Sequence, residues 1–97
     1  MLSWFDAKEC RAFGGKLAAF FAERIPVDSN FKEKKFAAKA QQVLNKMALD
    51  ADKFKQTNKL NVFKKAQLGN EFKWRLRDAG YDHDYVDELT EWLMLRF

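Results

Sequence analysis

Across 97 residues there is one cysteine, one histidine, one proline and only four glycines. Each scarcity excludes something. Cys10 alone can close no internal disulfide. The chain must therefore fold without the bridges that small secreted domains rely on, and a reducing cytoplasmic setting is expected. His83 leaves a single Cys–His pair, drawn from different segments and lacking a third orienting group, so catalysis is not expected. Cys10 itself sits on a phenylalanine-rich face, where cysteine behaves as a small buried apolar residue.

One histidine with no cysteine nearby does not build a zinc site. The stretch "DHDYVDE" offers Asp82, His83, Asp84 and Asp87 as hard ligands. A calcium loop, however, would need an oxygen donor where Val86 stands and a glycine just after it. Helix capping accounts for the same aspartates, so neither a metal nor a cofactor is expected. "FGGK" at Phe13 to Lys16 lacks the spacing and the preceding strand of a phosphate-binding loop. The longest apolar run, "LAAFFA" from Leu17 to Ala22, is far short of the roughly 20 residues that span a bilayer. The opening "MLSWFDAKEC" meets charge at Asp6 and has no apolar core of a signal peptide. A soluble protein with no membrane partner is the expectation.

Apolar residues are plentiful: 47% of the chain, with ten phenylalanines among 15% aromatics. Burying one phenylalanine contributes roughly 1.5–3 kcal/mol, so a single packed core is within reach and disorder is not expected. The length suits one domain, residues 1–97. Charge is unevenly spread. From Lys32 to Arg77, thirteen Lys or Arg face four acids, a balance of +9; from Asp78 to Phe97, six acids face one Arg, a balance of −5. Such asymmetry implies an anionic partner or an acidic end folded back on a basic middle.

No segment alternates in the manner of a strand, and apolar spacing of three and four runs throughout. An all-α, compact single-domain bundle of four helices is expected, at about residues 4–25, 31–56, 62–79 and 84–96. Ser3 and Asp6 suit a capping box at the first start, and Pro26 disfavours helix at the residue before it. Asp28, Ser29 or Asn30 can cap the second helix and Asn61 the third. Gly69 is a candidate bend, and Gly80 supplies the left-handed residue after the third helix. Asp82 or Asp84 starts the fourth, with Asp87 closing a capping box. The expected core is Phe13, Leu17, Phe20, Val43, Met47, Phe72, Leu76, Leu89 and Trp92. Beside these the stripes include Phe36, Ala40, Leu44, Ala51 and Phe54, with Leu68 and Ala79 on the third helix.

Two surfaces remain as candidate sites. In the first helix Ala12, Gly15, Ala19 and Ala22 form a small-residue ridge. Glycine inside a helix costs about 1 kcal/mol relative to alanine, so a close neighbour is implied, either another helix of the bundle or a second subunit. In the third helix Phe63 and Trp74 point away from Leu68, Phe72 and Leu76. A helix apolar on both sides usually lies centrally in its domain. The alternative is an exposed aromatic platform among cations, as single-stranded nucleic acid requires. Lys32, Lys35, Lys39, Lys46 and Lys53 line one flank of the second helix, and Lys73, Arg75 and Arg77 accompany Trp74. Lysine stems that snorkel over a core edge would give the same pattern, and arginine would be the stronger phosphate ligand. No helix-turn-helix follows Gly80, because the next helix is acidic and would repel phosphates.

These features point to a non-catalytic helical binding protein. The leading expectation is a protein-interaction or self-association module contacting a protein partner or a second copy through Ala12, Gly15, Ala19, Ala22, Phe63 and Trp74. The alternative is a nucleic-acid-binding module working through the lysine stripe and the third-helix cations.

Overall fold

The structure, a computed structural model, describes residues 6–29 and 34–97, with the side chains of all but Lys35 and Phe36. Four helices follow in order: α1 Lys8–Arg24, α2 Lys34–Thr57, α3 Val62–Ala79 and α4 His83–Met94. No strand occurs among the described residues.

Local chemistry sets most of the boundaries. Asn61 accepts from the Lys64 amide at 2.8 Å, and Gly80 follows α3 with φ of 105°, so α3 begins and ends where its sequence signals lie. Asp82 caps α4 by accepting from the Tyr85 amide at 3.0 Å. The start of α1 departs from expectation, and the expected start of α2 near residue 31 lies outside the described residues. α1 begins at Lys8, later than residue 4, with Asp6 and Ala7 outside it. The Asp6 carboxylate already accepts from the Lys8 amide at 3.2 Å. Ser3, Asn30 and Lys32 lie outside the described residues. The hydroxyl and amide of Ser29 both donate to the Pro26 carbonyl, closing the turn after α1. α2 runs one residue past its expected end, to Thr57, where Thr57 and Asn58 side chains donate to the last carbonyls. α4 stops at Met94 and gives way to a turn over the final residues.

The helices alternate in direction. Arg11 meets Gln67, and Tyr81 at the far end of α3 donates its hydroxyl to the Ile25 carbonyl, so α1 and α3 run parallel. Phe13 stacks on Phe54, which makes α2 antiparallel to α1. Gly69 against Met94 and Arg77 against Asp87 make α4 antiparallel to α3. α3 is continuous through Gly69, where a missing side chain makes room for Met94. α1 and α3 lie closest together and α2 stands farther off. The side chains explain this: glycines occupy the α1–α3 contact, whereas Phe13, Phe20 and Phe54 hold α2 away.

The core centres on Leu17, Phe21, Val43, Met47, Ala51, Leu68, Phe72, Leu76, Val86, Leu89 and Leu93. Phe13, Phe20 and Trp92, expected inside, are only partly buried, and Ala79 is exposed. The interior is filled instead by Phe21 and Leu93, which belong to the same apolar faces as Phe20 and Trp92, and by Ala18. Phe21 meets Tyr81 edge-on at 5.5 Å and Tyr85 at 6.2 Å. Burial, helped by the charges of Tyr81 and Glu88, pushes the Tyr85 phenol up to about 12. Its folded value thus lies above the unfolded value of about 10. The associated stability is present below pH 10 and is lost as pH rises through about 12. Phenolate absorbance during an alkaline titration is expected to show Tyr85 ionising only as the fold opens.

Candidate protein-binding site

The parallel packing of α1 on α3 leaves a groove of about 560 Å³ along their outer edge. Its walls are Ala18, Ala19 and Ala22 from α1 and Ala79 from α3, with Trp74 beside them and Glu71, Arg75 and Asp78 on the rim. Local sequence explains the shape. Alanines at spacing three and four leave a shallow wall on α1, and Trp74, one turn before Asp78, stands up from α3. Trp74 is 52% exposed, an unusual placement for so large an apolar ring.

The ridge and the aromatic face predicted separately therefore meet in part. Ala19, Ala22 and Trp74 share this groove. Gly15 lies beneath it, covered by the Arg75 side chain, and Ala12 is exposed farther along α1. Phe63 does not join them: it is partly buried and packs on the core. The closest helix approach is also made by a different glycine. A Cβ at Gly14 would stand 2.4 Å from the Leu68 carbonyl oxygen, whereas one at Gly15 would meet Arg75 Nε at 3.0 Å. The ridge is thus internal at its glycines and open only at its alanines.

The arginines around Trp74 already have carboxylate partners. Arg75 Nε donates to Glu71 at 2.6 Å. Arg77 pairs with Asp87 at 2.9 Å, with its side chain only 21% exposed, and its guanidinium lies 5.1 Å from the Trp74 ring centre. Lys73 Nζ lies 5.8 Å from the same ring. Asp87 is spent on Arg77 instead of a capping box. This ion pair ties the acidic helix to the basic middle, and just past that helix Lys55 donates to the Arg96 carbonyl at 3.1 Å. On α2, Lys46 pairs with Asp50 at 2.8 Å, and Lys39 and Lys53 are exposed. The Lys35 side chain is outside the described set.

The lysine stripe and the α3 cations do not form one surface. Lys46 and Lys53 line a second groove, between α1 and α2, whereas Arg75 lines the first. Glu71, Asp78 and Ala79 were not anticipated as site residues. Their spacing from Trp74 and Arg75 by three to five positions was the available signal, but which face would remain open was not.

Cys10 and His83 are not brought together. Cys10 lies near the start of α1, and His83 follows the turn that Tyr81 pins to the end of α1. The fifteen residues from Cys10 to Ile25 amount to about 22 Å of helix. Burial raises the Cys10 thiol above its ordinary value, against a smaller lowering by Lys64. Among the described residues no three His, Cys, Asp or Glu side chains gather as metal ligands, and no helix is long and apolar enough to cross a membrane. Comparison of the chain with protein-family models, curated proteins and solved structures finds no match.

Proposed function

We propose that this chain is a non-catalytic cytoplasmic protein-binding module whose contact is the α1–α3 groove beside Trp74. The observation that supports it is an exposed tryptophan next to a wall of alanines, with a rim of both signs. Large aromatic rings seated beside small residues make the anchors of protein interfaces, and a surrounding polar rim excludes water. Electrostatics favour protein over nucleic acid. A base stacked on Trp74 would bring its phosphates toward Glu71 and Asp78 on the rim, while Arg75 and Arg77 are already paired with carboxylates. A mixed-sign rim also complements itself across a two-fold axis, so a second copy is an admissible occupant.

A pull-down from lysate under nuclease treatment tests this, with Trp74→Ala and Ala19→Arg as paired baits. Both positions are exposed, so the variants are expected to fold. Partners should persist after nuclease and be lost from both variants, and sedimentation of the wild type should reveal whether that partner is a second copy. Partners removed by nuclease, or Trp74-dependent retention of RNA or DNA on filters, would favour the nucleic-acid reading instead.

A further inference from the structure

The second groove, between α1 and α2, carries a pattern that the Trp74 groove lacks. It holds about 560 Å³ over Phe13, Leu17, Phe20 and Phe54 and is bordered by Lys16, Lys46 and Lys53, with Asp50 as its acid. A smaller hollow of about 220 Å³ continues the seam past Phe20 to Arg24 and Lys39. The seam repeats every seven residues on both sides. Lys39, Lys46 and Lys53 are heptad-spaced on α2, as are Phe13 and Phe20 on α1. Each step is about 10.5 Å of helix, so the three lysines span about 21 Å.

A seven-residue repeat of apolar floor and charged flank is what a further helix reads when it packs alongside two others, with flanking charges choosing the partner. We propose that the α1–α2 groove is a docking site for an acidic amphipathic helix of another protein. Its apolar face would lie over Phe13, Phe20 and Phe54, and its carboxylates would recur every seven residues toward Lys39, Lys46 and Lys53. The charges on the seam agree. Lys16, Lys39 and Lys53 have no ion pair among the described residues, Arg24 reaches Glu23 at 3.5 Å, and Asp50 neutralises Lys46 alone.

Two other occupants fit less well. Nucleic acid needs open ring faces for stacking, and Phe13 and Phe54 cover one another at 4.2 Å and 4°. The α4 helix of a second copy has heptad acids, Asp84 and Glu91, but its apolar residues Val86, Leu89 and Leu93 are buried in its own core. It has nothing to lay over the phenylalanines.

The inference does not depend on the Trp74 groove, and its test is separate. The probe is a fluorescent synthetic helix three heptads long, with leucine at the two core positions and glutamate at the flanking ones. Its twin carries lysine in place of glutamate. Anisotropy at low salt is expected to show saturable binding of the acidic probe, weakening with salt and unchanged in Trp74→Ala. Lys46→Glu with Lys53→Glu should weaken it about tenfold or more and gain affinity for the lysine twin. Both sites are exposed, and circular dichroism should show the fold intact. Amide shifts on binding should centre on Phe13, Phe20 and Phe54. Absence of saturable binding, indifference to the charge reversal, or equal displacement by a single-stranded oligonucleotide at the same amides would each overturn the proposal.

Discussion

Phe72→Ala is expected to be among the most damaging single changes, at about 3–5 kcal/mol. The ring is fully buried in the middle of α3, and α3 is the helix that touches both α1 and α4. Its removal leaves a cavity walled by helices that Gly14 and Gly69 already hold close, so collapse can recover little of the lost contact. Against a total stability of about 5–15 kcal/mol for a domain of this kind, the variant should unfold at much lower denaturant. Urea titration followed by circular dichroism measures this. A loss below 1 kcal/mol would mean that Phe72 is not the centre of the core.

Gly14→Ala is the second, and it has a built-in control. Alanine is the better helix former by about 1 kcal/mol, so on local grounds both Gly14→Ala and Gly15→Ala should stabilise α1. Packing separates them. The new methyl at position 14 would be driven into the Leu68 carbonyl, which belongs to the α3 backbone and cannot move without separating the helices. Overpacking of this kind costs about 1–3 kcal/mol or more. At position 15 the methyl meets the flexible Arg75 side chain, which is more than half exposed and can swing aside. Gly14→Ala should therefore lower the melting temperature and Gly15→Ala should leave it unchanged or raise it. Equal effects at the two sites would show that the helices do not meet at Gly14.

The glycine pair also shows where sequence reasoning stops. "FGGK" announces that something comes close to α1, but which glycine carries the contact depends on the rotation of α1 about its axis. Gly14 and Gly15 differ by only about 100° in that rotation. The same rotation leaves Phe13 and Phe20 at the edge of the core, while Phe21 from the same apolar face and Ala18 beside it lie inside. Trp74 and Phe63 looked equivalent as the second face of α3. Only the positions of the neighbouring helices distinguish them: Phe63 meets the core, while Trp74 looks out over alanines that are too small to cover it. Arg77 looked like a free cation because its partner, Asp87, lies in a different helix.

What the sequence determined alone is what operates within a few residues along the chain. The helical periodicity, the Asn61 cap, the Gly80 turn, the stop before Pro26 and the stripe of Val43, Met47 and Ala51 are all of this kind, because their hydrogen bonds and facing side chains lie three or four positions apart. Tertiary structure decided the rest: the nearness of α1 to α3, the distance of α2, the pairing of Arg77, and the two grooves. Those depend on how side chains of different helices fit, and a difference of one methyl group at Gly14 is enough to reset that fit.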